Sequence, residues 1–87
     1  MAYKFVVLPD AKKQLDKLDR HTAKRLVKKL IWLANLDNPL ALAKPLTNAK
    51  IGDFRFRFGD YRAIAVVNEA KKTIAIAAIG HRREIYR

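Results

Sequence analysis

Three stretches of the chain carry the hydrophobic patterns of β-strands. Residues 3–8 are rich in aromatic and β-branched side chains and precede a proline, which predicts a short first strand. Residues 54–67 alternate phenylalanine with arginine and then become apolar, which predicts a hairpin. Residues 73–79 are apolar almost throughout, as is typical of a central strand that is buried on both faces.

The segment after the first strand has the spacing of an amphipathic helix. Ala11, Leu15 and Leu18 recur at positions i, i+4 and i+7, while the charged residues between them point elsewhere. We expect Asp10 to cap this helix. Polar residues 19–22 interrupt the pattern before a second helical stretch, so the two helices should form an antiparallel hairpin.

The second predicted helix begins at a cap of Asp19 or Thr22 and ends near Asn35. Trp32 lies at the boundary of its apolar stripe, where packing in the core is the expected role. The stripe is expected to consist of Ala23, Leu26, Val27, Leu30, Ile31 and Leu33 or Ala34. The outer side carries Lys24, Arg25, Lys28 and Lys29. This charged side is either a solvated helix face or a contact for nucleic acid.

Residues 40–51 are predicted to form a connecting loop, because the residue before Pro39 is pushed out of the helical region. The order of elements then predicts one α+β domain over residues 1–87. It consists of an N-terminal strand, an antiparallel helix hairpin and a three-strand antiparallel meander, with the helices on one face of the sheet. Three leucines of the loop are expected to pack on the core: Leu40, Leu42 and Leu46.

The register of the hairpin follows from its two-residue connection, Gly59-Asp60. Glycine at the first central position suits a type II′ turn, whose twist matches the flanking strands. The predicted pairs are Phe58 with Tyr61, Arg57 with Arg62, Phe56 with Ala63 and Arg55 with Ile64. Arg57 and Arg62 are therefore opposite each other on one face, and Arg55 lies two residues along.

Like charges directly opposite each other destabilise a sheet by ~0.2–1 kcal/mol per pair. The three arginines are therefore interpreted as a site for a polyanion, since a guanidinium offers a planar fork that matches phosphate oxygens. The alternative is a solvated outer face, on which each arginine stem covers neighbouring apolar side chains.

Composition adds a partner class to this picture. The net charge is +11, from 19 Lys and Arg against 8 Asp and Glu, and both halves of the chain share the excess. Such a charge favours nucleic acid or an acidic protein as the partner. No run of ~18 apolar residues and no signal peptide is present, so we expect a cytoplasmic protein without a membrane partner.

Several chemistries are excluded by the residue types available. The chain has no cysteine, which removes disulfides and thiolate catalysis. It has no serine, and its two histidines are far apart without a paired carboxylate motif. Covalent hydrolase chemistry, metal catalysis and a bound cofactor are therefore not expected.

Residues 80–87 hold the densest set of reactive side chains. The third strand pairs with the second, so this segment is expected to bring His81, Arg82 and Tyr86 beside the arginines. His81, with an ordinary pKa of about 6.5, is suited to shuttle a proton. It is equally read as a hydrogen-bonded histidine at a strand end. His21, between the helices, is expected at the surface.

Together these motifs resemble the RelE branch of the RelE/ParE toxin superfamily, and the likeness covers essentially the whole chain. The matching pieces are Lys44-Pro45-Leu46, then Gly52-x-Phe54-Arg55-x-Arg57-x-Gly59-x-Tyr61-Arg62, then Ile79-Gly80-His81-Arg82-Arg83-x-Ile85-Tyr86. The resemblance implies a toxin that enters the ribosomal A site and cleaves mRNA without a metal. The ribose 2′-hydroxyl attacks the adjacent phosphate and leaves a 2′,3′-cyclic phosphate or its 3′-phosphate product.

The resemblance also assigns roles by position. Arg55, Arg57 and Arg62 would stabilise the charge that develops on the phosphoryl oxygens. Arg82 would stabilise the leaving 5′-oxygen. Tyr86 would serve as the base, provided that nearby guanidiniums lower its pKa from about 10. The best-known family pattern has lysine where this chain has arginine in the first hairpin strand.

The expected partners are the mRNA, the ribosome with its rRNA, and an acidic antitoxin. The antitoxin would either mask the arginines or displace the segment that contains Tyr86. Two other functions stay open at this point. One is inhibition of DNA gyrase, as in ParE. The late Arg-Arg-x-x-Tyr motif disfavours this function, because the gyrase inhibitors generally lack it. The other is a non-catalytic basic module that binds RNA or an antitoxin.

Overall fold

The computed structural model describes residues 3–47 and 52–85, in which two helices lie on one face of a five-stranded sheet. This confirms the predicted α+β architecture with both helices on one side. The elements are β1 (Lys4–Val7), α1 (Pro9–Asp16), α2 (Arg20–Ala34), a 3₁₀ helix (Pro39–Leu42), β2 (Lys44–Pro45), β3 (Phe54–Phe58), β4 (Tyr61–Asn68) and β5 (Thr73–His81).

The strands are ordered β1-β5-β4-β3-β2 across the sheet. Strands β3, β4 and β5 form the predicted antiparallel meander, and β5 is interior, as its apolar sequence indicates. Two pairings were not predicted. β1 lies parallel to β5, and Lys44–Pro45 pairs with β3 inside the stretch expected to be a loop. No local turn sequence marks either pairing.

The hairpin register is confirmed pair by pair, including Arg57 opposite Arg62 and Arg55 opposite Ile64. Gly59 has a φ of 63°, while Asp60 keeps a negative φ. That combination is the one a type II′ turn requires at its two central residues. The turn chemistry therefore decides which side chains share a face.

The core lies between the helices and the sheet. Leu26, Leu30 and Leu33 are the buried residues of α2. Val27 and Ile31, also expected in this stripe, are 40% and 57% exposed, and Trp32 is 47% exposed. The predicted apolar stripe contained too many residues, because Leu26, Leu30 and Leu33, at positions i, i+4 and i+7, already fill the contact with the sheet. The buried cluster consists of Ala11, Leu15, Leu26, Leu30, Leu33, Phe56, Ala63, Ala65, Ile74, Ile76 and Ile79.

The helix caps follow local sequence in one case of two. Asp19 caps α2, since its Oδ2 accepts a hydrogen bond from the Thr22 backbone N–H at 3.3 Å. Asp10 does not cap α1, because Pro9 occupies the first helical position and Leu8 becomes the cap residue. Asp10 instead lies in the first turn, where a carboxylate is favourable to the helix dipole.

The predicted loop packs on the core only in part. Leu40 packs against the core and Leu46 is half-buried. Leu42, at the end of the 3₁₀ helix, is 54% exposed, so its predicted packing was wrong. Within residues 3–47 and 52–85, no helix has the length and apolar character needed to cross a membrane.

Candidate functional site

Arg55, Arg57 and Arg62 lie on the sheet face opposite the helices, and we call this set the arginine face. Side chains alternate along a strand, and directly paired residues share a side. Phe56 and Ala63 are paired and buried against the helices. The neighbouring pair, Arg57 and Arg62, therefore points away from them, as the sequence predicted.

Arg62 is held by the hairpin turn itself. Its Nη1 donates to the backbone oxygen of Gly59 at 2.7 Å and to that of Tyr61 at 2.8 Å. Carbonyl dipoles stabilise the guanidinium and offset part of its repulsion by Arg57. The arrangement fixes the direction of the guanidinium before any ligand arrives.

Arg82 reaches the same turn from the end of β5. Its backbone N–H donates to the Asp60 oxygen at 2.8 Å, and its Nε lies 3.9 Å from Asp60 Oδ1. Such an exposed ion pair stabilises little by itself. Its consequence is positional, because Arg57, Arg62 and Arg82 all converge on the Gly59-Asp60 turn.

The loop before β3 lies against the same sheet face. A Cβ placed on Gly52 would be 2.5 Å from Ile64 Cγ2 and 3.2 Å from the Ala65 oxygen, so only glycine fits. Next to it, Asp53 Oδ2 accepts a hydrogen bond from the Val67 N–H at 2.9 Å. This close approach helps to bury Ile64, which is fully buried on the face that bears the arginines.

The segment after β5 folds back over this face as well. The N–H groups of Glu84 and Ile85 both donate to the His81 oxygen, at 2.9 and 3.0 Å. A Cβ on Gly80, which pairs with Arg62, would lie 3.2 Å from Ile85 Cδ1. Ile85 therefore covers the strand next to Arg62. Tyr86, the predicted base, lies outside the described residues.

His81 lies on the helix-covered side of the sheet, against expectation. It pairs with Tyr61, with ring centroids 5.6 Å apart in an edge-to-face arrangement. Its Nδ1 accepts a hydrogen bond from the Arg83 N–H at 3.2 Å, and it borders a cavity beside Gln14 of α1 and Leu18, which follows α1. The placement fits the alternative interpretation, a hydrogen-bonded histidine at a strand end. His21 is exposed, as predicted.

A bulge in β5 accounts for the side on which His81 lies. Ala65 pairs with Ile76 while Ile64 pairs with Ala78, so Ala77 has no partner in β4. A one-residue insertion reverses which face each later side chain occupies. Regular alternation from Ile76 would have placed His81 on the arginine face. No sequence signal marks this bulge.

Three groups with shifted pKa values, Tyr3, Glu69 and Lys72, lie near the Asn68 end of β4, away from the hairpin turn. The Tyr3 hydroxyl donates to Glu69 Oε1 at 2.6 Å, which raises the pKa of Tyr3 and lowers the pKa of Glu69. Lys72 Nζ, 3.2 Å from Glu69 Oε2, lowers the Glu69 pKa further, and its own pKa is raised. In the described part of the chain, no three His, Cys, Asp or Glu residues cluster as a metal site would require.

Sequence reasoning did not find a cleft between α2 and the hairpin turn. Arg25 and Lys29 of α2 line it on one side, and Arg57, Phe58 and Tyr61 line it on the other. Its volume is about 400 Å³. The four-residue spacing of the two helix cations was visible in the sequence. Their position beside the turn depends on how α2 packs, which the sequence does not mark.

Comparison with known proteins identifies the family. A family model described as ParE toxin of type II toxin–antitoxin system, parDE, matches residues 5–86. Toxin RelG of Mycobacterium tuberculosis is 37% identical over 49 residues, 56% of this chain and 56% of RelG, so the match spans about half the length of this relative.

Solved structures extend the likeness to the whole fold. The toxin–antitoxin complex RelBE2 from M. tuberculosis contains a chain with a TM-score of 0.82 and 26% identity, covering 94% of this chain and 100% of that chain. The archaeal RelE–RelB complex from Pyrococcus horikoshii OT3 gives a TM-score of 0.70 and 26% identity, covering 97% and 99%. This chain therefore belongs to the RelE/ParE superfamily of type II toxins, and its likenesses support the RelE branch.

Proposed function

We propose that this toxin is a ribosome-dependent endoribonuclease that cleaves mRNA in the A site. One observation carries the proposal. Arg57 and Arg62 lie opposite each other on the sheet face that the helices leave open, and Arg82 joins them at the Gly59-Asp60 turn. A phosphodiester is the ligand whose charge and oxygen geometry suit several guanidiniums at once.

The reaction needs charge stabilisation more than any other help. The 2′-hydroxyl oxygen gives its proton to the base and bonds to phosphorus while the bond to the 5′-oxygen breaks. The 5′-oxygen takes a proton from water, so that a 2′,3′-cyclic phosphate and a 5′-hydroxyl result. Negative charge grows on the phosphoryl oxygens, where Arg55, Arg57 and Arg62 are proposed to act. Arg82 is proposed to stabilise the leaving 5′-oxygen. Since a guanidinium has a pKa above ~12, it serves there as a charge and not as an acid.

The base is assigned by the family resemblance to Tyr86. A phenol accepts a proton only as phenolate, a form that neighbouring guanidiniums favour. Arg82 and Ile85 hold the segment that leads to Tyr86 beside the arginine face, which supports the assignment. His81 is left out of the proposed set because it lies on the other side of the sheet.

Toeprinting of mRNA on translating ribosomes tests the proposal. Wild-type protein should produce cuts within the A-site codon, and Arg62→Ala should lower the cleavage rate by about 100-fold or more. Lys28→Ala, which removes an equal charge from the exposed side of α2, is the control and should cleave normally. Absence of cuts with wild type, or full activity of Arg62→Ala, would contradict the proposal.

An acidic antitoxin is the proposed protein partner. The two structural relatives described above are toxin–antitoxin complexes, and the net charge of +11 favours an acidic binder. The antitoxin is proposed to cover the arginine face or to displace the segment after β5. Loss of cleavage on addition of the protein encoded next to this toxin, with recovery after its removal, is the expected result.

Inhibition of DNA gyrase is the second candidate, because the matching family model is described by ParE. A gyrase supercoiling assay with the same protein preparation separates the two activities. RNA binding without inhibition of either process would instead indicate a non-catalytic basic module.

A further inference from the structure

The cleft between α2 and the hairpin turn has the residues of an anion site. Arg25 and Lys29 are four residues apart, so their side chains stand about 6 Å apart along the helix axis. Arg57 also borders the cleft, from the edge of β3 opposite α2, while its side chain belongs to the arginine face. Asp60 is the acidic residue of the lining, and its carboxylate is directed to Arg82. The cleft therefore presents a surplus of positive charge.

The same cleft has an aromatic wall. Phe58 and Tyr61 are paired across the hairpin, both are half-buried, and both border the cleft. Cations beside aromatic surfaces are the combination that holds single-stranded nucleic acid, since bases stack while phosphates pair with the charges. The cleft volume of about 400 Å³ suits one nucleotide. One turn of a protein helix, about 10 Å wide, would already fill it.

Arg57 joins this cleft to the arginine face. It lies directly opposite Arg62 in the sheet, and it also lines the cleft. Strand β2 pairs with β3 only at Phe54 and Arg55, so in the described residues no strand covers the edge of β3 at Arg57. A polynucleotide that has one phosphate on the arginine face can therefore pass round this edge into the cleft.

We propose that the cleft lined by Arg25, Lys29 and Arg57 is a second phosphate-binding subsite, which holds a nucleotide of the RNA strand next to the reacting phosphate. This rests on the proposed ribonuclease function. The subsite positions the strand and takes no part in bond making or breaking. Its contribution is to binding of longer RNA, and a substrate that ends at the arginine face does not use it.

Two matched double variants of α2 test the subsite. Arg25→Gln/Lys29→Gln removes the two helix cations of the cleft, and Lys24→Gln/Lys28→Gln removes two cations with the same spacing outside it. All four residues are exposed, and glutamine is a good helix former, so both variants should fold. The cleft variant also loses the contact of Lys29 Nζ with the Trp32 ring, 4.4 Å from its centroid, so its melting temperature should fall by at most a few degrees. The probe is a fluorescent 2′-O-methyl oligoribonucleotide, which binds without being cleaved.

Anisotropy titrations over a range of salt concentrations give the decisive numbers. Arg25→Gln/Lys29→Gln should weaken binding by about tenfold and reduce the slope of log K against log salt by about 0.7, which corresponds to one single-strand phosphate contact. The control double variant should stay within about threefold of wild type. On ribosomes, the cleft variant should raise KM for mRNA cleavage and leave kcat unchanged.

The outcomes separate the subsite from the ribonuclease activity. Equal effects of the two double variants would overturn the subsite, even if the protein cleaves mRNA. Selective loss of RNA binding in the cleft variant, in a protein that never cleaves, would support the subsite and contradict the ribonuclease. A cleft variant that loses binding to a poly-glutamate peptide and keeps RNA binding would assign the cleft to an acidic protein and overturn the proposal.

Discussion

Arg57 and Arg62 are a residue pair that opposes stability and that we propose to serve binding. They are directly opposite in the sheet, and Arg62 Nη1 donates to two carbonyl oxygens of the turn, at 2.7 and 2.8 Å. Arg57 is exposed. We propose that two like charges at this position keep a site ready for an anion, since the repulsion would be relieved when the anion binds.

Arg57→Gln should therefore stabilise the free protein while it impairs function. Removing the repulsion is expected to raise the free energy of unfolding by ~0.2–1 kcal/mol, as measured by urea denaturation. The same variant should cleave mRNA about tenfold more slowly, since one phosphate ligand is lost. Lys28→Gln, which removes an equal charge from the exposed side of α2, is the control and should change neither quantity. A destabilised Arg57→Gln with full activity would contradict this interpretation.

Glu69 provides a residue-scale prediction about pH. The hydrogen bond from Tyr3 is the largest cause of its lowered pKa, followed by Lys72. A lowered carboxylate pKa adds stability above the ordinary pKa, and this stability is lost as the pH falls through the folded-state value. Tyr3→Phe should raise the pKa of Glu69 towards its ordinary value, as followed by carbon NMR of the carboxyl group. Lys71→Gln should leave it unchanged.

At the scale of elements, structure set by local turn chemistry could be predicted from the sequence, whereas structure set by long-range packing could not. The Gly59-Asp60 turn fixes the β3–β4 register, so the placement of Arg57 opposite Arg62 could be predicted from sequence. The parallel pairing of β1 with β5 joins residues about seventy positions apart, for which no local signal exists. The bulge at Ala77, which reverses the face on which His81 lies, likewise has no local sequence signal.

The segment after β5 is an element whose position depends on one apolar contact. Ile85 packs on Gly80 beside Arg62, and the Arg82 backbone is bonded to Asp60. Ile85→Ala should release the segment, accelerate tryptic cleavage after Arg82 and lower the mRNA cleavage rate about tenfold. The melting temperature should change by only a few degrees, because Ile85 lies outside the main buried cluster.

The matched control for that variant is Ile31→Ala. Ile31 is an equally large side chain on the exposed side of α2, far along the chain from the segment. It should leave both the tryptic rate and the mRNA cleavage rate as in wild type. If Ile85→Ala is digested no faster than wild type, the contact with Gly80 does not position the segment.

At the scale of the whole molecule, a net charge of +11 on 87 residues makes self-repulsion a general cost. Salt screens such repulsion whichever ions it contains, with a Debye length of about 10 Å at 0.1 M. Sulfate also strengthens apolar burial in any protein. A specific anion site adds a third effect, because a ligand that binds only the folded state raises its stability.

Melting temperatures in sodium sulfate and sodium chloride, compared at equal ionic strength, isolate that third effect. Wild type should gain a few degrees more in sulfate than Arg57→Gln/Arg62→Gln, since sulfate is a tetrahedral dianion that suits the arginine face. Lys24→Gln/Lys28→Gln has the same net charge as that variant and should keep the wild-type gain. Because general screening and the effect on burial are shared by both double variants, only an anion site at the arginines can separate them. An equal sulfate gain in both would mean that the three guanidiniums form a solvated face.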